Sequence, residues 1–440
     1  MSNNVDATNM KQATKRELMP KLRFPEFGDA WAVKKLGDLG KLIGGGTPDK
    51  SVVEYWQGDI PWVSSSDIFE DDIYTMSVTR FINEKSISES ATKIVPKGSV
   101  LFVSRVGTGK LAVNNNDVCT SQDFTNFLPK KIYNYFLGYF FIANKSALIS
   151  LGQGTSIKGF SKGDLEKFEV IFPSPLEQQK IADCLSSIDE LITAQTQKLV
   201  TLKTHKKGLM QQLFPAEGET LPKLRFPEFL DSGEWETKQL GELLLGHPDY
   251  GVNAAAVTYS EDLPAYLRIT DISEEGYFLC GKKASVAIKA TDEHYMSEGD
   301  IVLARTGASV GKSYKFRKED GKLVFAGFLI RIKPDPTKID STFLFNFLFT
   351  EQYWNWVRVT SARSGQPGIN GNEYAALLIP VPPHVRESGG LSEQLKIAEC
   401  LSSIDELITT QTQKLDTLKT HKKGLMQQLF PALDEVQRWA

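Results

Sequence analysis

The sequence predicts an α+β protein built as an internal repeat, in which two mixed α/β domains are separated by two long helices. Residues 177–216 return almost unchanged as residues 393–432. The aligned copies differ at four positions, which pair Gln179 with Leu395, Asp183 with Glu399, Ala194 with Thr410 and Val200 with Asp416. The octapeptide PKLRFPEF also occurs twice, at residues 20–27 and 222–229, ahead of two blocks with only scattered motifs in common. The chain therefore carries two divergent domains and two nearly identical helical segments.

Strands and helices are mixed within each variable block. Residues 58–67 (GDIPWVSSSD) and 95–103 (VPKGSVLFV) predict strands, and residues 297–304 (SEGDIVLA) repeat the second pattern. Aromatic residues recur at helical spacing over residues 132–149 and 342–359, and this pattern predicts helices packed in the core. Because the elements do not alternate regularly, each block is predicted to be a mixed α/β domain of the α+β class.

The composition is that of a globular chain, with 440 residues, 41% hydrophobic residues and a net charge of −3. This length predicts two or three domains with real cores. Residues 1–19 are polar and lack an apolar signal core, and no later run of about 18 apolar residues offers a membrane span. We therefore expect a cytoplasmic protein without membrane contact. The weak net charge implies that a surface for a polyanion is local or is completed by another subunit.

A catalytic constellation is hard to find in the sequence. HExxH and the dinucleotide fingerprint GxGxxG are absent, and the histidines and cysteines lack metal-ligand spacing. The four cysteines, Cys119, Cys184, Cys280 and Cys400, lie far apart. This spacing favours buried thiols over disulfides or a zinc site. We expect a non-catalytic chain without a bound metal, either a reader or a scaffold.

Each repeated segment is predicted to be one long helix, because residues 176–214 contain no proline and carry apolar side chains at heptad spacing. About 38 residues at roughly 1.5 Å each give a rod of about 57 Å. A lone rod of this kind is poorly stabilised, so each helix needs a partner, and the other copy is the nearest one. An antiparallel coiled coil would place the two domains at opposite ends, related by an approximate two-fold axis.

The predicted seam of this coiled coil consists of apolar residues at two heptad positions. They are Leu185, Ile188, Ile192, Leu199, Leu202 and Leu209 in the first helix, and Leu401, Ile404, Ile408, Leu415, Leu418 and Leu425 in the second. Polar residues interrupt the seam at Gln195 and Lys206 and again at Gln411 and Lys422. Polar seam residues of this kind can fix the register of a coiled coil.

A basic glycine loop follows one predicted strand in each domain, SRVGTGK at residues 104–110 and RTGASVGKS at residues 305–313. Residues 306–313 nearly match a phosphate-binding P-loop. However, Thr306 stands where the first glycine belongs, and the following residues are typical of a strand and a turn. No helix follows that would offer its amino end to a phosphate. A nucleotide site is therefore the weaker interpretation of this loop.

The glycine loops fit contacts with DNA better. In the second loop, Arg305, Thr306 and Lys312 can reach base edges or phosphates, and by residue type their counterparts are Arg105, Thr108 and Lys110. A tight turn with solvated charges is the remaining interpretation.

The order of motifs within each half resembles a known family. Each half contains KLRFPEF with a following tryptophan, then KLG or KQLG, then a GSV or GDI strand with an SRxG or ARTG loop, and then a PxP segment before KIAxCLSSIDELI. This layout resembles the specificity subunits of type I restriction-modification enzymes over nearly the whole chain. In such subunits the variable domains are target-recognition domains, and the repeated helices space them and bind modification subunits.

The resemblance implies a division of the chain into two recognition domains and two conserved helices. The predicted segments are a polar tail at 1–19, target-recognition domain 1 at 20–175, the first coiled-coil helix at 176–216, target-recognition domain 2 at 217–390, the second helix at 391–432 and a tail at 433–440.

The resemblance also implies the function and the partners. The chain would read a two-part, asymmetric site in double-stranded DNA, while its helices set the spacer and dock the methyltransferase (modification) subunits, of which we expect two. Restriction and translocase subunits would join through the complex. Adenine methylation and DNA cleavage would then belong to partner subunits, which bring S-adenosylmethionine and ATP with Mg²⁺, and this chain would hold no cofactor itself.

We assign DNA contacts to the polar loop residues of each domain by residue type and position. In the first domain these are Ser65, Asp67, Arg105, Thr108, Lys110, Gln153 and Lys158. In the second domain they are Arg268, Asp271, Arg305, Thr306, Lys312, Gln366 and Asn370.

Two other classes of function stay open from the sequence. One is a self-sufficient nucleotide-binding enzyme, such as an ATPase, that uses the loop at residues 306–313. The other is a coiled-coil assembly adaptor that does not read DNA.

Overall fold

The computed structural model describes residues 19–152, 159–279, 281, 283–363, 365–383, 391–431 and 433. The chain forms two compact units: the first unit comprises residues 1–196 and 413–440, and the second unit comprises residues 197–412. The boundary between the units falls within both long helices, so the predicted limits of the recognition domains stay a prediction. None of the helices in the described ranges combines the length and the hydropathy of a membrane span.

The first unit contains two four-stranded sheets and a two-stranded pair. Its strands are β1 (Ala32–Lys35), β2 (Gly40–Gly44), β3 (Ile60–Val63), β4 (Arg80–Ile82), β5 (Ile94–Val95), β6 (Val100–Val103), β7 (Leu111–Val113), β8 (Val118–Thr120), β9 (Phe124–Pro129) and β10 (Glu169–Phe172). The sheets have the orders β2-β9-β6-β7 and β4-β3-β8-β5, and β1 pairs with β10. The β3–β8 pairing is parallel. The strands predicted within residues 58–67 and 95–103 are confirmed as β3 and β6.

The second unit has a similar arrangement of strands. They are β11 (Glu236–Gln239), β12 (Asp249–Tyr250), β13 (Ala256–Thr258), β14 (Ala265–Leu267), β15 (Ala284–Val286), β16 (Ile301–Ala304), β17 (Ser313–Lys315), β18 (Leu323–Phe325), β19 (Leu329–Ile332) and β20 (Leu378–Val381). The sheets have the orders β12-β19-β16-β17 and β13-β15-β14-β18, and β11 pairs with β20. The β14–β18 pairing is parallel, as is β3–β8 in the first unit.

The central strands β6 and β16 are apolar throughout because both of their faces are buried. Val100 and Phe102 of β6 lie in the large core of the first unit, while Leu101 and Val103 lie in a smaller core on the opposite face of the sheet. Strand β16 is likewise buried at all four positions. A strand buried on both faces reads as a continuous hydrophobic run, which is the pattern that predicted β6.

The α-helices include the two predicted long helices. In chain order they are α1 (Leu36–Leu39), α2 (Glu84–Ser88), α3 (Asn134–Ala143), α4 (Lys145–Ser150), α5 (Lys162–Lys167), α6 (Pro175–Leu213), α7 (Ser341–Phe347), α8 (Glu351–Thr360), α9 (Gly371–Ala375) and α10 (Ser392–Leu429). The aromatic-rich stretches are helical, as predicted, but each is divided in two, α3 with α4 and α7 with α8. Their rings pack in the cores, among them the fully buried Phe136, Phe140, Phe343 and Phe347.

The long helices α6 and α10 pack together in both units, and each predicted seam residue is buried or half-buried. The lysines that interrupt the seam find acidic partners on the other helix. In the first unit Lys422 Nζ lies 2.6 Å from an oxygen of Asp189, and in the second unit Lys206 Nζ lies 2.8 Å from an oxygen of Asp405. The two lysine interruptions of the seam are therefore ion pairs between the two helices.

The first octapeptide holds one end of each long helix and shows their direction. Arg23 forms two 2.7 Å hydrogen bonds to the carboxylate of Glu177 at the start of α6. The neighbouring Leu22 N donates to the carbonyl of Gln428 at the end of α10, at 2.9 Å. The start of α6 therefore lies beside the end of α10, which confirms the predicted antiparallel pairing within the first unit.

The second octapeptide makes the same contacts in the second unit. Arg225 Nε and Nη2 lie 2.7 and 2.8 Å from the carboxylate oxygens of Glu393 at the start of α10. Leu224 N donates to the carbonyl of Gln212 at the end of α6, at 2.9 Å. The repeated octapeptide is therefore a clamp on the helix ends, and here too the helices are antiparallel.

The cysteines of the described part of the chain are thiols. Cys119 is fully buried, while Cys184 and Cys400 are half-buried at equivalent positions of the two long helices. Burial raises the pKa of the Cys119 thiol to about 11, so this group is protonated at neutral pH. Cys280 lies outside the described residues. For the three described cysteines, the prediction of unlinked thiols is confirmed.

The clamp predicts a large effect from a small change at Glu393. The side chains of Arg225 and Glu393 are only 6% and 5% exposed, so Glu393→Gln leaves the guanidinium buried without its counterion. We expect the second unit to lose about 3 to 5 kcal/mol of unfolding free energy. Urea unfolding followed by tryptophan fluorescence measures this loss.

Glu228→Gln is the matched control, because Glu228 pairs with Lys396 at 3.7 Å and both side chains are about half exposed, at 48% and 47%. An exposed pair of this kind contributes at most about 1 kcal/mol. Equal losses in the two variants would contradict the importance given to the clamp.

Candidate nucleic-acid interface

The glycine loop of the first unit is a fixed turn that carries one exposed arginine. Gly107 and Gly109 have φ values of +87° and +95°, which a side chain would strain. The hydroxyl of Thr108 donates to the carbonyl of Arg105 and closes the turn. The side chain of Arg105 is exposed. Of the predicted contact residues in this loop, Arg105 is the one that the turn presents to solvent.

The glycine loop of the second unit presents a different set of side chains. Arg305 is half-buried, and its guanidinium carbon lies 4.9 Å from the centre of the Tyr250 ring, a cation–π geometry. Arg305 Nε is buried, and no residue in the described ranges accepts a hydrogen bond from it. Lys312 Nζ lies 2.7 Å from a carboxylate oxygen of Glu274. Sequence analysis missed Tyr250, which supports the arginine.

Three backbone hydrogen bonds, which we call the loop frame, hold each glycine loop in the same way. In the first unit they are Val103 N to Lys110 O (3.0 Å), Ser104 N to Asp123 O (2.8 Å) and Phe160 N to Ser104 O (3.0 Å). In the second unit they are Ala304 N to Lys312 O (2.8 Å), Arg305 N to Phe328 O (3.1 Å) and Ile369 N to Arg305 O (2.8 Å). The backbone at the beginning and the end of the two loops is therefore equivalent, although the loops differ in sequence and by one residue in length.

The loop frame corrects the pairing of residues made from sequence. Arg305 occupies the position of Ser104, and Arg105 occupies the position of Thr306. The pairing of Arg105 with Arg305 by residue type is therefore wrong by one position, whereas Lys110 and Lys312 do correspond. The cause is that the second loop is longer, so matching arginine to arginine shifts the register.

The predicted aspartates lie in buried turns instead of at the surface. Asp67 is 6% exposed. Its Oδ2 accepts hydrogen bonds at 2.7 Å from both Ser64 N and Arg80 Nη2. Ser65 lies half-buried on the same turn. Arg80 was not predicted from the sequence, because it lies on β4, remote in sequence from Asp67.

Asp271 holds the equivalent turn of the second unit. It is 2% exposed. Its carboxylate accepts from Arg268 N at 3.0 Å and from the Arg268 guanidinium at 2.8 and 2.7 Å. The side-chain hydrogen bond to Asp271 raises the pKa of Arg268 above its ordinary value. In each unit an arginine thus pairs with a buried aspartate. In the first unit the arginine is Arg80 on β4, and in the second it is Arg268, three residues before Asp271.

Each lysine joins its glycine loop to this turn. Lys110 Nζ donates to the carbonyl of Ile68, the residue after Asp67, at 3.2 Å. Lys312 bonds to Glu274, which lies just beyond Asp271. In each domain the glycine loop and the aspartate turn, which the sequence predicted separately, therefore lie together at one edge of the domain.

The remaining predicted residues precede the last strand of each domain in the sequence. In the second unit the segment that contains them runs beside the glycine loop, since Gly307 N donates to Pro367 O at 3.0 Å. Gln366 is exposed there. Asn370 caps α9 by accepting a 3.0 Å hydrogen bond from Glu373 N. Gln153 and Lys158 of the first domain lie outside the described residues.

The two units thus hold loops of different sequence in the same backbone frame. The sequence of the whole chain also matches one protein family. The profile of the type I restriction modification DNA specificity domain matches the chain twice, at residues 28–204 and 232–420. The chain belongs to this family. The sequence-based assignment to the specificity subunits of type I restriction-modification systems is confirmed.

Two relatives and one solved structure show the extent of the similarity. The MjaIX type I specificity subunit of Methanocaldococcus jannaschii is 34% identical over 230 residues, which cover 49% of this chain and 51% of the relative. The MjaVIII specificity subunit of the same organism is 26% identical over 425 residues, 93% of each chain. The fold is similar to that of a type I S subunit from M. genitalium, with a TM-score of 0.58, 16% identity, and coverage of 94% of this chain and 99% of the other.

The buried aspartates give a prediction about stability. Asp271→Asn removes a charge that caps a turn and pairs with Arg268, so we expect a loss of about 1 to 3 kcal/mol in unfolding free energy with an unchanged preference for DNA sequence. Thermal unfolding and competition binding measure the two effects. Asp262→Asn, at an exposed aspartate of the same unit, should change neither. A change of sequence preference at full stability would make Asp271 a base-contacting residue instead.

Proposed function

We propose that each recognition domain reads one half of an asymmetric, two-part DNA site through the edge formed by its glycine loop and aspartate turn. The observation that carries this proposal is the loop frame. The same three backbone hydrogen bonds hold both loops, while the side chains at equivalent positions differ. Where the first domain has Ser104 the second has Arg305, and where the first has Arg105 the second has Thr306. Base contacts specify a sequence, and backbone geometry only positions the reader. Two readers of different sequences are expected to differ in this way.

The contacts divide the predicted DNA-binding residues into two roles. Arg105 and Gln366 are exposed, and Arg305 is half-exposed with a buried donor that the described residues do not satisfy. These three are the candidates for base or phosphate contact, arginine for guanine and glutamine for adenine. Asp67, Asp271 and Asn370 hold turns and a helix end, so we assign them to positioning.

We propose that methylation and cleavage are carried out by partner subunits. In this proposal two modification subunits dock on the long helices, bring S-adenosylmethionine, and are joined by restriction subunits that use ATP and Mg²⁺. The near-identity of the helical repeats supports two docking sites of one kind, because the two copies share all but four of their residues. The weak net charge fits a reader whose partners supply many of the phosphate contacts.

The geometry of the second glycine loop favours DNA reading over the ATPase alternative. The loop leads into strand β17 at Ser313–Lys315, where a phosphate-binding loop would open a helix. Lys312, the residue that would bind phosphate, is bonded to Glu274. Binding of ATP by the purified chain alone, lost in Lys312→Ala, would contradict this choice.

Mapping of methylated adenines tests the reader directly. The chain is expressed with its modification subunits in a host without other methylation, and the genome is sequenced by a method that detects methyladenine. We expect one two-part motif, and replacing residues 28–175 by another recognition domain should change only one half of it. An adaptor without a DNA role would leave the methylated motif unchanged.

The same mapping tests Arg305. Arg305→Ala should relax the motif at one base pair in one half-site and weaken binding of the specific site by roughly 5- to 150-fold, the value of one good base contact. Lys318→Ala is the matched control, because Lys318 pairs with Glu298 and both side chains are more than 70% exposed, at 74% and 72%. An unchanged motif in Arg305→Ala would exclude this arginine as a base contact.

We also propose that the helices set the spacer between the half-sites. Four residues added to both helices lengthen them by about 6 Å, close to two base-pair steps of about 3.4 Å. The expected result is a longer spacer with both half-sites unchanged, read from methylated sites. An unchanged spacer would leave the helices as docking surfaces without a measuring role.

A further inference from the structure

The turn between β18 and β19 of the second unit holds an aromatic side chain in solvent. Phe328 is 62% exposed, although Phe325 and Leu329 on either side of the turn are buried. The turn is fixed, because Gly327 N donates to Val252 O at 2.8 Å. A phenyl ring that is held outward on a fixed backbone contributes little to the core.

Phe328 lies at the edge that the second domain is proposed to use for DNA. Its carbonyl accepts the 3.1 Å hydrogen bond from Arg305 N that belongs to the loop frame. The guanidinium of Arg305 lies over Tyr250, which is itself 48% exposed. An apolar ring therefore lies beside a cationic group on one surface, a combination suited to a base that offers both an apolar and a polar group.

The first unit has a different residue at the equivalent position. Ser104 N donates to the carbonyl of Asp123 at 2.8 Å, so the loop frame places Asp123 where the second unit has Phe328. The backbone is the same and the side chain changes from a phenyl ring to a carboxylate. Asp123 is half-buried, and its carboxylate accepts a hydrogen bond from Ser121 Oγ at 3.3 Å. The same backbone position therefore presents an aromatic side chain to solvent in the second unit and a carboxylate held within its turn in the first.

We propose that Phe328 reads the 5-methyl group of a thymine in the half-site bound by the second recognition domain. The thymine methyl is the apolar group that the major groove displays, and phenylalanine is a suitable partner for it. In the first domain the carboxylate of Asp123 would accept a hydrogen bond from the amino group of a cytosine instead. This inference rests on the proposed function, because it needs the second domain to bind DNA.

Deoxyuridine in place of thymine provides the test, since it removes the methyl group and keeps the base pairing. The probes are duplexes of the mapped site in which each thymine of the second half-site is replaced in turn, bound by the complex of this chain with its modification subunits. For one of these positions, deoxyuridine should weaken binding by the wild-type complex about fourfold, the value of burying one methyl-sized group. Phe328→Ala should bind the thymine and deoxyuridine duplexes equally at that position.

Two further variants make the result specific. Phe328→Leu retains an apolar side chain and should keep part of the preference for thymine. Leu378→Ala is the matched control, because Leu378 is an apolar residue that is also more than half exposed, at 51%, and lies on β20 outside the loop frame. It should keep the whole preference, and matching melting curves show that the variants are folded.

Three results would overturn the inference. The first is that no thymine of the half-site gives weaker binding when deoxyuridine replaces it. The second is that the effect of deoxyuridine persists in Phe328→Ala. The third is that Phe328→Ala loses affinity equally for all duplexes, which would indicate that the ring stacks between bases. The proposed function fails separately, through the absence of a two-part methylated motif. A mapped motif with no effect of Phe328 removes the inference and leaves the function in place.

Discussion

The pairing of Lys206 with Asp405 and of Lys422 with Asp189 is the interaction on which the arrangement of the long helices depends. A lysine in an apolar seam is costly unless a carboxylate meets it. Each repeat supplies one such aspartate and one such lysine, so an antiparallel pair satisfies both lysines at once. A parallel pairing in register would set lysine against lysine. The duplicated sequence therefore fixes its own direction and register, which apolar residues at heptad spacing alone would leave open.

The edge formed by the glycine loop and the aspartate turn is connected to the long helices through the core of its unit. In the first unit, Val100 and Phe102 of β6 lie in the same hydrophobic cluster as Leu185 of α6 and Met426 of α10. In the second unit, Ile301 and Leu303 of β16 lie in a cluster with residues of both long helices. The strand that carries the glycine loop and the helix pair thus pack in one core. Because protein interiors are close-packed, a loop on such a strand keeps its position relative to the helices of its own unit.

The sequence predicted the elements better than the contacts between them. The long helices, the buried strands and the aromatic core helices follow from periodicity and hydrophobicity, which are local properties. The octapeptide clamp was visible only as a repeat, since nothing in its sequence shows that Arg23 meets Glu177. The salt bridge between Arg80 and Asp67 joins strand β4 to the turn after β3 and was missed for the same reason. The turn at Asp67 did carry a signal, because a serine three residues before an aspartate is typical of a capping box.

The candidate site shows a second limit of the sequence. Matching arginine with arginine misaligned the two glycine loops, since the loops differ in length and only the backbone hydrogen bonds show the register. Phe328 was hidden because it lies in the apolar run FAGFLIRI, where its neighbours are core residues. Exposure of a single residue in such a run is set by the turn at Gly327. A pattern of residue types does not contain that information.

The contacts separate the positions that maintain the fold from those that are available for recognition. The carboxylates of Asp67, Asp271, Glu177 and Glu393 are buried and accept hydrogen bonds from arginines, so their replacement leaves charged partners uncompensated. Arg105, Gln366 and Phe328 project from a backbone that is held by other residues, and exposed side chains of this kind can change at little cost in stability. The exposed side chains of two domains with one architecture can therefore diverge, while the helices that support the domains remain nearly identical. The two halves of the chain differ at four positions in the helical repeat and at many positions in the loops. This distribution is expected if the helices maintain the fold and the loops are free to change.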